Sequence, residues 1–310
     1  MQILRIAGYQ DARSVHTRAM RVLEASLQRL LGDDIVIEFQ ENIATTGRKV
    51  ADLLDLVESG EIDLCYFSSS YLTARVPTLG VFDIPFLLTD RERTRALLQG
   101  TLGARLAAEV AQHTGYTVLG FWDNGLRNIS NRLRPVCTPA DCKGIRIRTL
   151  PSEGYHATFR ALGMEPVTID VGEMVAAIAS GAVDAQENPL ANIELFGLQK
   201  YHPFVTMTGH FQGIVLLLCN AKCLAGWPAE LRTMLRAAVR AGTTAQWQLA
   251  ADEEVASRSA LEAQGVGIVD IDDAGRALFK QAVRGVIEQR YADLPDVVLR
   301  ATRPSPVIQT

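Results

Sequence analysis

A chain of 310 residues, 48% apolar and 21% charged, has material for two cores and the balance of a folded globular protein, which excludes a disordered one. Its formal net charge of −4 argues against a nucleic-acid binder, whose footprint is basic. No apolar run reaches the roughly 18 residues that cross a bilayer. The five cysteines are odd in number, and none forms a CxxC pair or sits beside a histidine cluster, which argues against a disulfide framework and a zinc site.

In chain order, residues 3–8 alternate and predict a strand running into a turn at Gly8, Tyr9 and Gln10. The opening MQILRIAGYQ therefore reads as structure, with none of the regions of an export signal. Ser14 suits an N-cap for an amphipathic helix to about Leu31, its apolar face formed by Ala19, Val22, Leu23, Leu27 and Leu30. His16, in the first turn of that helix, is a candidate ligand contact; a capping or surface role is the alternative. A second strand follows at 35–39. The segment VADLLDLVESGEID predicts a helix ended by Ser59-Gly60, then a strand LCYF. The pattern returns as EMVAAIASGAVD, Ser180-Gly181 and the strand AQEN. Two such echoes suggest two lobes built on similar βαβ units, with ligands at the carboxyl ends of the strands. That rule points to Ser68, Ser69 and Ser70 after the first copy and to Glu187 and Asn188 after the second.

Phe82, Pro85 and Phe86 are expected to pack. Helices are predicted at about 90–98 and 101–113, and a strand at 116–122. Ser152 can cap a helix to Leu162, with Glu153 and Tyr155 in its opening turns, and 166–169 is a strand. A helix over 188–196 carries Pro189 in its first turn. Strands at 204–207 and 213–220 are separated by a segment holding His210 and Gln212. Residues 228–263 contain a single glycine, Gly242, and no further proline after Pro228. They read as one helix of roughly 50 Å that bridges both lobes. A last helix covers about 273–291, and a loose tail is expected after Pro304. Buried free thiols are the reading for the cysteines, with oxidised Cys137/Cys142 or Cys219/Cys223 pairs left open.

The centre of the chain is the run GFWDNGLRNISNRLRPVCTPADCKGIRIRT, which holds Arg127 and Arg148 in two strand-like segments joined by a turn-rich connector that would let the two lie side by side. Alternation puts Arg146 and Arg148 on one strand face. An arginine at a strand end suits a carboxylate, which its planar fork grips with two parallel hydrogen bonds. Surface ion pairing is the ordinary alternative.

This run, together with GMEPVTIDVGEMVAAIASGAVDAQENP, resembles the central signature of the DctP-type periplasmic solute-binding proteins of TRAP (tripartite ATP-independent periplasmic) transporters. The likeness extends over most of the chain. It implies an α/β fold of two lobes like that of the periplasmic binding proteins, a ligand cleft between them, and a long helix, about 228–263, bridging both. The expected lobes are 1–124 with 213–252, and 125–212 with 253–310. The implied function is extracytoplasmic capture of a carboxylate by an arginine clamp and delivery to the TRAP permease subunits, in the periplasm, after removal of a signal peptide. No enzyme activity, cofactor or metal is implied. By resemblance Arg148 grips the carboxylate, Asn188 holds or joins this clamp, and Arg127 binds the same group or another polar one. Ser68 and Val171 stand near positions where sialic-acid-type members carry glutamate and phenylalanine, which puts an amino-sugar acid in doubt. Ser69, Trp122, Tyr155, His210 and Gln212 are further candidate contacts, with packing as the alternative for each. A small-acid enzyme and a cytoplasmic sensor are the competing readings. Against the first, the sequence has no GxSxG, HExxH, phosphate loop or dinucleotide fingerprint.

Overall fold

The computed structural model describes residues 2–302; the tail expected to be loose lies outside them. The chain forms β1 (Gln2–Ala7), α1 (Val15–Leu31), β2 (Ile35–Gln40), α2 (Asp52–Ser59) and β3 (Leu64–Ser68). Next come α3 (Arg91–Gln99), α4 (Thr101–His113), β4 (Tyr116–Asn131), β5 (Arg146–Thr149) and α5 (Glu153–Ala161). Then follow β6 (Glu165–Thr168), α6 (Val171–Ser180), β7 (Ala185–Asn188), α7 (Leu190–Leu195) and β8 (Phe204–Asn220). The chain closes with α8 (Ala221–Gly226), α9 (Ala229–Ala263), β9 (Gly267–Asp270), α10 (Asp273–Ala282), α11 (Arg284–Asp293) and α12 (Asp296–Thr302).

Among the described residues the strands form one sheet in the order β2-β1-β3-β8-β4-β7-β5-β6, with β9 also pairing β8. The sheet is continuous because β4 and β8 are long antiparallel partners that run through both lobes. One core gathers residues from β1 to Trp122 with Ile214 to Trp247 of β8 and α9. Two smaller clusters lie beyond, one around Ile147, Phe159 and Phe211, the other around Ile178, Ile193 and Leu261. The change from one core to the next falls where Gly125 faces Gly213 across the ladder. The end of the chain departs from the expected division, since Leu294 and Val298 pack into the first core although 253–310 was assigned to the second lobe.

Local chemistry explains most of the elements. The Ser14 hydroxyl accepts from the Thr17 amide and starts α1. Val22 and Leu30 prove exposed, whereas Met20 is buried, so the apolar stripe is rotated from the expected one. Gly60 and Gly181 end α2 and α6 in the left-handed conformation, at φ 85° and 75°. In mid-α9, a Cβ on Gly242 would lie 2.9 Å from that of Leu23, so the glycine lets α1 and α9 approach.

Three predicted boundaries move. The expected strands at 204–207 and 213–220 are one strand, β8, because His210 and Gln212 find partners in Thr208 and Asp123 and need no loop. Likewise 116–122 continues through Arg127 to Asn131. The last helix breaks at Val283, and α12 follows it. The two arginine strands are also not neighbours: β7 lies between β4 and β5. All five cysteines are free; Cys65, Cys142 and Cys219 are buried, Cys137 is exposed and Cys223 half-buried. No described helix is long and apolar enough to cross a membrane.

Candidate functional site

The carboxyl ends of β1, β3, β5 and β7 converge on a cavity at the boundary of the lobes. Arg127, Arg148, Asn188, Ser68 and Val171 line it, with Tyr9, Gln10, Phe67, Tyr71, Asn124, Leu150, Asn192 and Phe196. Its volume is about 20 Å³, room for roughly one water. Admitting an organic acid therefore requires the walls to part.

Two ladder irregularities flank Arg127, one between Asp123 and Gly125 and one between Arg127 and Ile129. Asp123 accepts from the Gly125 amide at 2.7 Å, and Gly125 takes φ 89°. Such bulges re-aim a side chain, and here the guanidinium turns toward Glu187 of β7. Its Nε and Nη2 grip the Glu187 carboxylate, the Nη2–Oε1 distance being 2.9 Å, and Nη2 reaches the Asn188 Oδ1 at 3.1 Å. Burial works against the charge on Arg127, yet Glu187 outweighs it and holds the guanidinium above its ordinary pKa. Burial would raise the Glu187 carboxyl too, but Arg127 and His210 hold it below the usual range. This is a buried pair with its compensation built in.

Arg148 is equally buried, at 1% exposure, and has no such partner. Its Nε donates to the Ile169 carbonyl at 2.8 Å, while Nη2 has no hydrogen-bond partner among the described residues. Burial pulls its pKa down, with Arg127 adding to the effect. The neighbouring Arg146 follows the ordinary alternative: it forks onto Asp184 at 2.8 Å and onto the carbonyls of Gly181 and Ala182.

The remaining polar groups form a chain across the cavity. Gln10 Nε2 donates to Asn192 Oδ1 at 3.3 Å, joining the loop after β1 to α7. Asn192 donates to Asn188 Oδ1 at 3.2 Å, and Asn188 donates to Gln186 at 2.5 Å. The Tyr71 hydroxyl, like Arg148 Nη2, is buried without a partner among the described residues.

Eight of the residues singled out from the sequence lie outside this lining: Glu187, held by Arg127; Ser70, which donates to Asp83 at 2.9 Å; and six more. His16 stands behind Gln10, its Nδ1 3.0 Å from Gln10 Oε1, and burial drives its pKa down to about 3. Trp122 stacks near Tyr66 and donates to Thr243 on α9 at 3.0 Å. Tyr155 packs on Phe211 with Arg127 over its ring, and His210 lies 3.6 Å from Glu187. Gln212 donates to Asp123, and the Ser69 hydroxyl is buried without a partner among the described residues. Of the lining, Tyr9 and Gln10 were within reach of the strand-end rule, since they follow β1 as Ser68 follows β3. Asn124, Asn192 and Phe196 carried no signal in the sequence.

The family model of bacterial extracellular solute-binding protein, family 7, matches residues 7–294. The 2,3-diketo-L-gulonate-binding periplasmic protein YiaO of Escherichia coli is 27% identical over 294 residues, covering 93% of this chain and 87% of that one. A longer protein of Sinorhizobium fredii is 31% identical over 240 residues, 77% of this chain, but the chain spans only 44% of its length. A TRAP periplasmic solute-binding protein from Bordetella, with density interpreted as pantoate, superposes with a TM-score of 0.92 at 27% identity, covering 99% and 100% of the two chains. The sugar acid binding protein of Advenella mimigardefordensis in complex with galactonate also reaches 0.92, at 21% identity and coverage of 97% and 96%. This second likeness speaks to fold alone.

Proposed function

The chain belongs to the bacterial extracellular solute-binding protein family 7, and from that premise we propose that it captures a small carboxylate in the periplasm for a TRAP permease. Relatives of this family are binding proteins of transport systems, and the site's chemistry agrees with binding. The observation that carries the reading is Arg148, buried at the cavity with Nη2 unpartnered among the described residues. A buried guanidinium without an anion is costly, and a ligand carboxylate supplies both charge and acceptors. Asn188 and Asn192 offer amides beside it, and Gln10 faces them from the other wall. In this reading Arg148 is the clamp, while Arg127, already held by Glu187, positions Asn188 and lends a second positive field.

The ligand class is an organic acid or a sugar acid. The pantoate of the Bordetella relative and the 2,3-diketo-L-gulonate in the name of the Escherichia coli relative fit such a class, and Ser68 and Val171 leave the wall small and uncharged. Because the cavity is so small, uptake and release require the lobes to separate. Ligand then shifts the population toward the closed form by its differential affinity.

The test is a thermal-shift screen of organic and sugar acids, including D-galactonate, pantoate and 2,3-diketo-L-gulonate, with Arg148→Ala as the paired control. A ligand of the native state must raise Tm. A rise confined to one acid family and lost in Arg148→Ala supports the reading. Equal stabilisation of both proteins would remove Arg148 from the clamp.

A further inference from the structure

A second junction between the lobes lies away from the ligand cavity. Asp83, at the end of a 3-10 turn spanning Pro77–Asp83, is 2% exposed and belongs to the first lobe. Its carboxylate accepts from Ser70 of the same lobe at 2.9 Å and from the Ser152 hydroxyl of the other. Ser152 is the N-cap of α5, and its oxygen accepts from the Gly154 amide at 3.2 Å. Asp83 is thus tied to the positive end of a nine-residue helix.

Gly154 sits in the first turn of α5, where glycine costs stability relative to alanine and no positive φ calls for it. Its reason is steric. A Cβ there would stand 2.7 Å from both the Cβ and the carbonyl oxygen of Asp83. The lobes therefore touch closely at a point that depends on a missing side chain. None of Asp83, Ser152 and Gly154 lines the ligand cavity.

We propose that Asp83, Ser152 and Gly154 form a latch that holds the two lobes closed independently of the captured acid, so that they act as positioning residues for binding. The inference rests on the reading above that the lobes close over a ligand. A latch of this kind raises the fraction of binding-competent protein before any acid arrives. Apparent affinity rises with that fraction. Because the contacts lie outside the cavity, they tune affinity without altering which acid is chosen.

The experiment uses the full chain without added acid. Spin labels are placed on the exposed Cys137 of the second lobe and on an Asp34→Cys substitution in the first, with Cys223→Ser to remove the half-buried thiol. Electron–electron distance distributions are compared for this background, Gly154→Ala and Ser152→Ala, with circular dichroism and Tm recorded on each. In the background, a closed population is expected beside an open one. Gly154→Ala should reduce the closed population about tenfold, and Ser152→Ala, which introduces no clash, by a smaller factor. A purely structural role would lower Tm and leave the distances unchanged. Superimposable distributions in all three proteins, or a background with no closed population, would overturn the latch. Since no ligand is used, the outcome is separable from the acid screen.

Discussion

Arg127 and Arg148 stand at the same depth and line the same cavity, yet their surroundings treat the charge in opposite ways. Around Arg127 the fold supplies Glu187, a backbone carbonyl and an asparagine oxygen. Around Arg148 it supplies one carbonyl and leaves a guanidinium nitrogen buried without a partner among the described residues. An internally satisfied arginine belongs to the architecture. One left short of an acceptor is held ready for something that comes from outside.

The comparison breaks first at Arg148. Arg148→Ala should weaken binding of the acid found in the screen about a hundredfold or more, since a buried ligand carboxylate would lose its counter-charge at a cost of about 3–5 kcal/mol. Its Tm without acid should not fall, and calorimetry of the same protein checks that. At Arg127 the signature should invert. Arg127→Met leaves Glu187 buried and unpaired and should lower unfolding free energy by about 3–5 kcal/mol, while the double variant Arg127→Met/Glu187→Leu should recover much of the loss. Denaturant titration reads both. If Arg127→Met were as stable as the parent, the pair would not be the internal compensation described.

Acid titration sharpens the contrast between groups the fold has satisfied and groups it has not. Burial holds His202 down to about 4, and Arg146, with Arg132, holds Asp184 down to about 2. Both folded values lie below the ordinary ones, so each group binds more protons unfolded as the pH drops. The contribution of His202 is whole above about pH 6.5 and is lost as pH falls toward 4, and that of His16 is lost over the wider span down to about 3. The contribution of Asp184 is whole above about pH 3.9 and is lost toward 2. Tm should therefore decline in two stages, and Asp184→Asn should flatten the lower one. The smallest effect is expected at Trp122→Phe, which removes the bond to Thr243 for about 1 kcal/mol and should leave acid affinity unchanged.

Much of the fold could be read from the chain because its signals are local. The cap at Ser14, the helix-ending glycines at 60 and 181, and the proline-free run of α9 each act within a few residues. The continuity of β4 and β8 was hidden for the opposite reason. His210 and Gln212 look like loop residues until Thr208 and Asp123 are found beside them. The site divided along the same line. Residues at strand ends, such as Ser68, Asn188 and Arg148, follow a positional rule. Asn124 and Asn192 come to the cavity only through the crossing of β4 and the seat of α7, which no short stretch of sequence encodes. Val22 and Leu30 were placed inward by periodicity alone, although the seam against α9 is narrower.

In the sheet order, β8 lies between β3 and β4, although the chain makes it after both. Residues 1–131 therefore hold the outer strands of the first lobe without the one that joins them. During synthesis or refolding these strands must wait for residues 204–220 before their edges are covered. Contacts of such long sequence separation slow folding and leave apolar edges open to other chains in the meantime. A fragment ending at 203 should be prone to aggregate, and the assembled lobes should fold as one cooperative unit despite their separate cores.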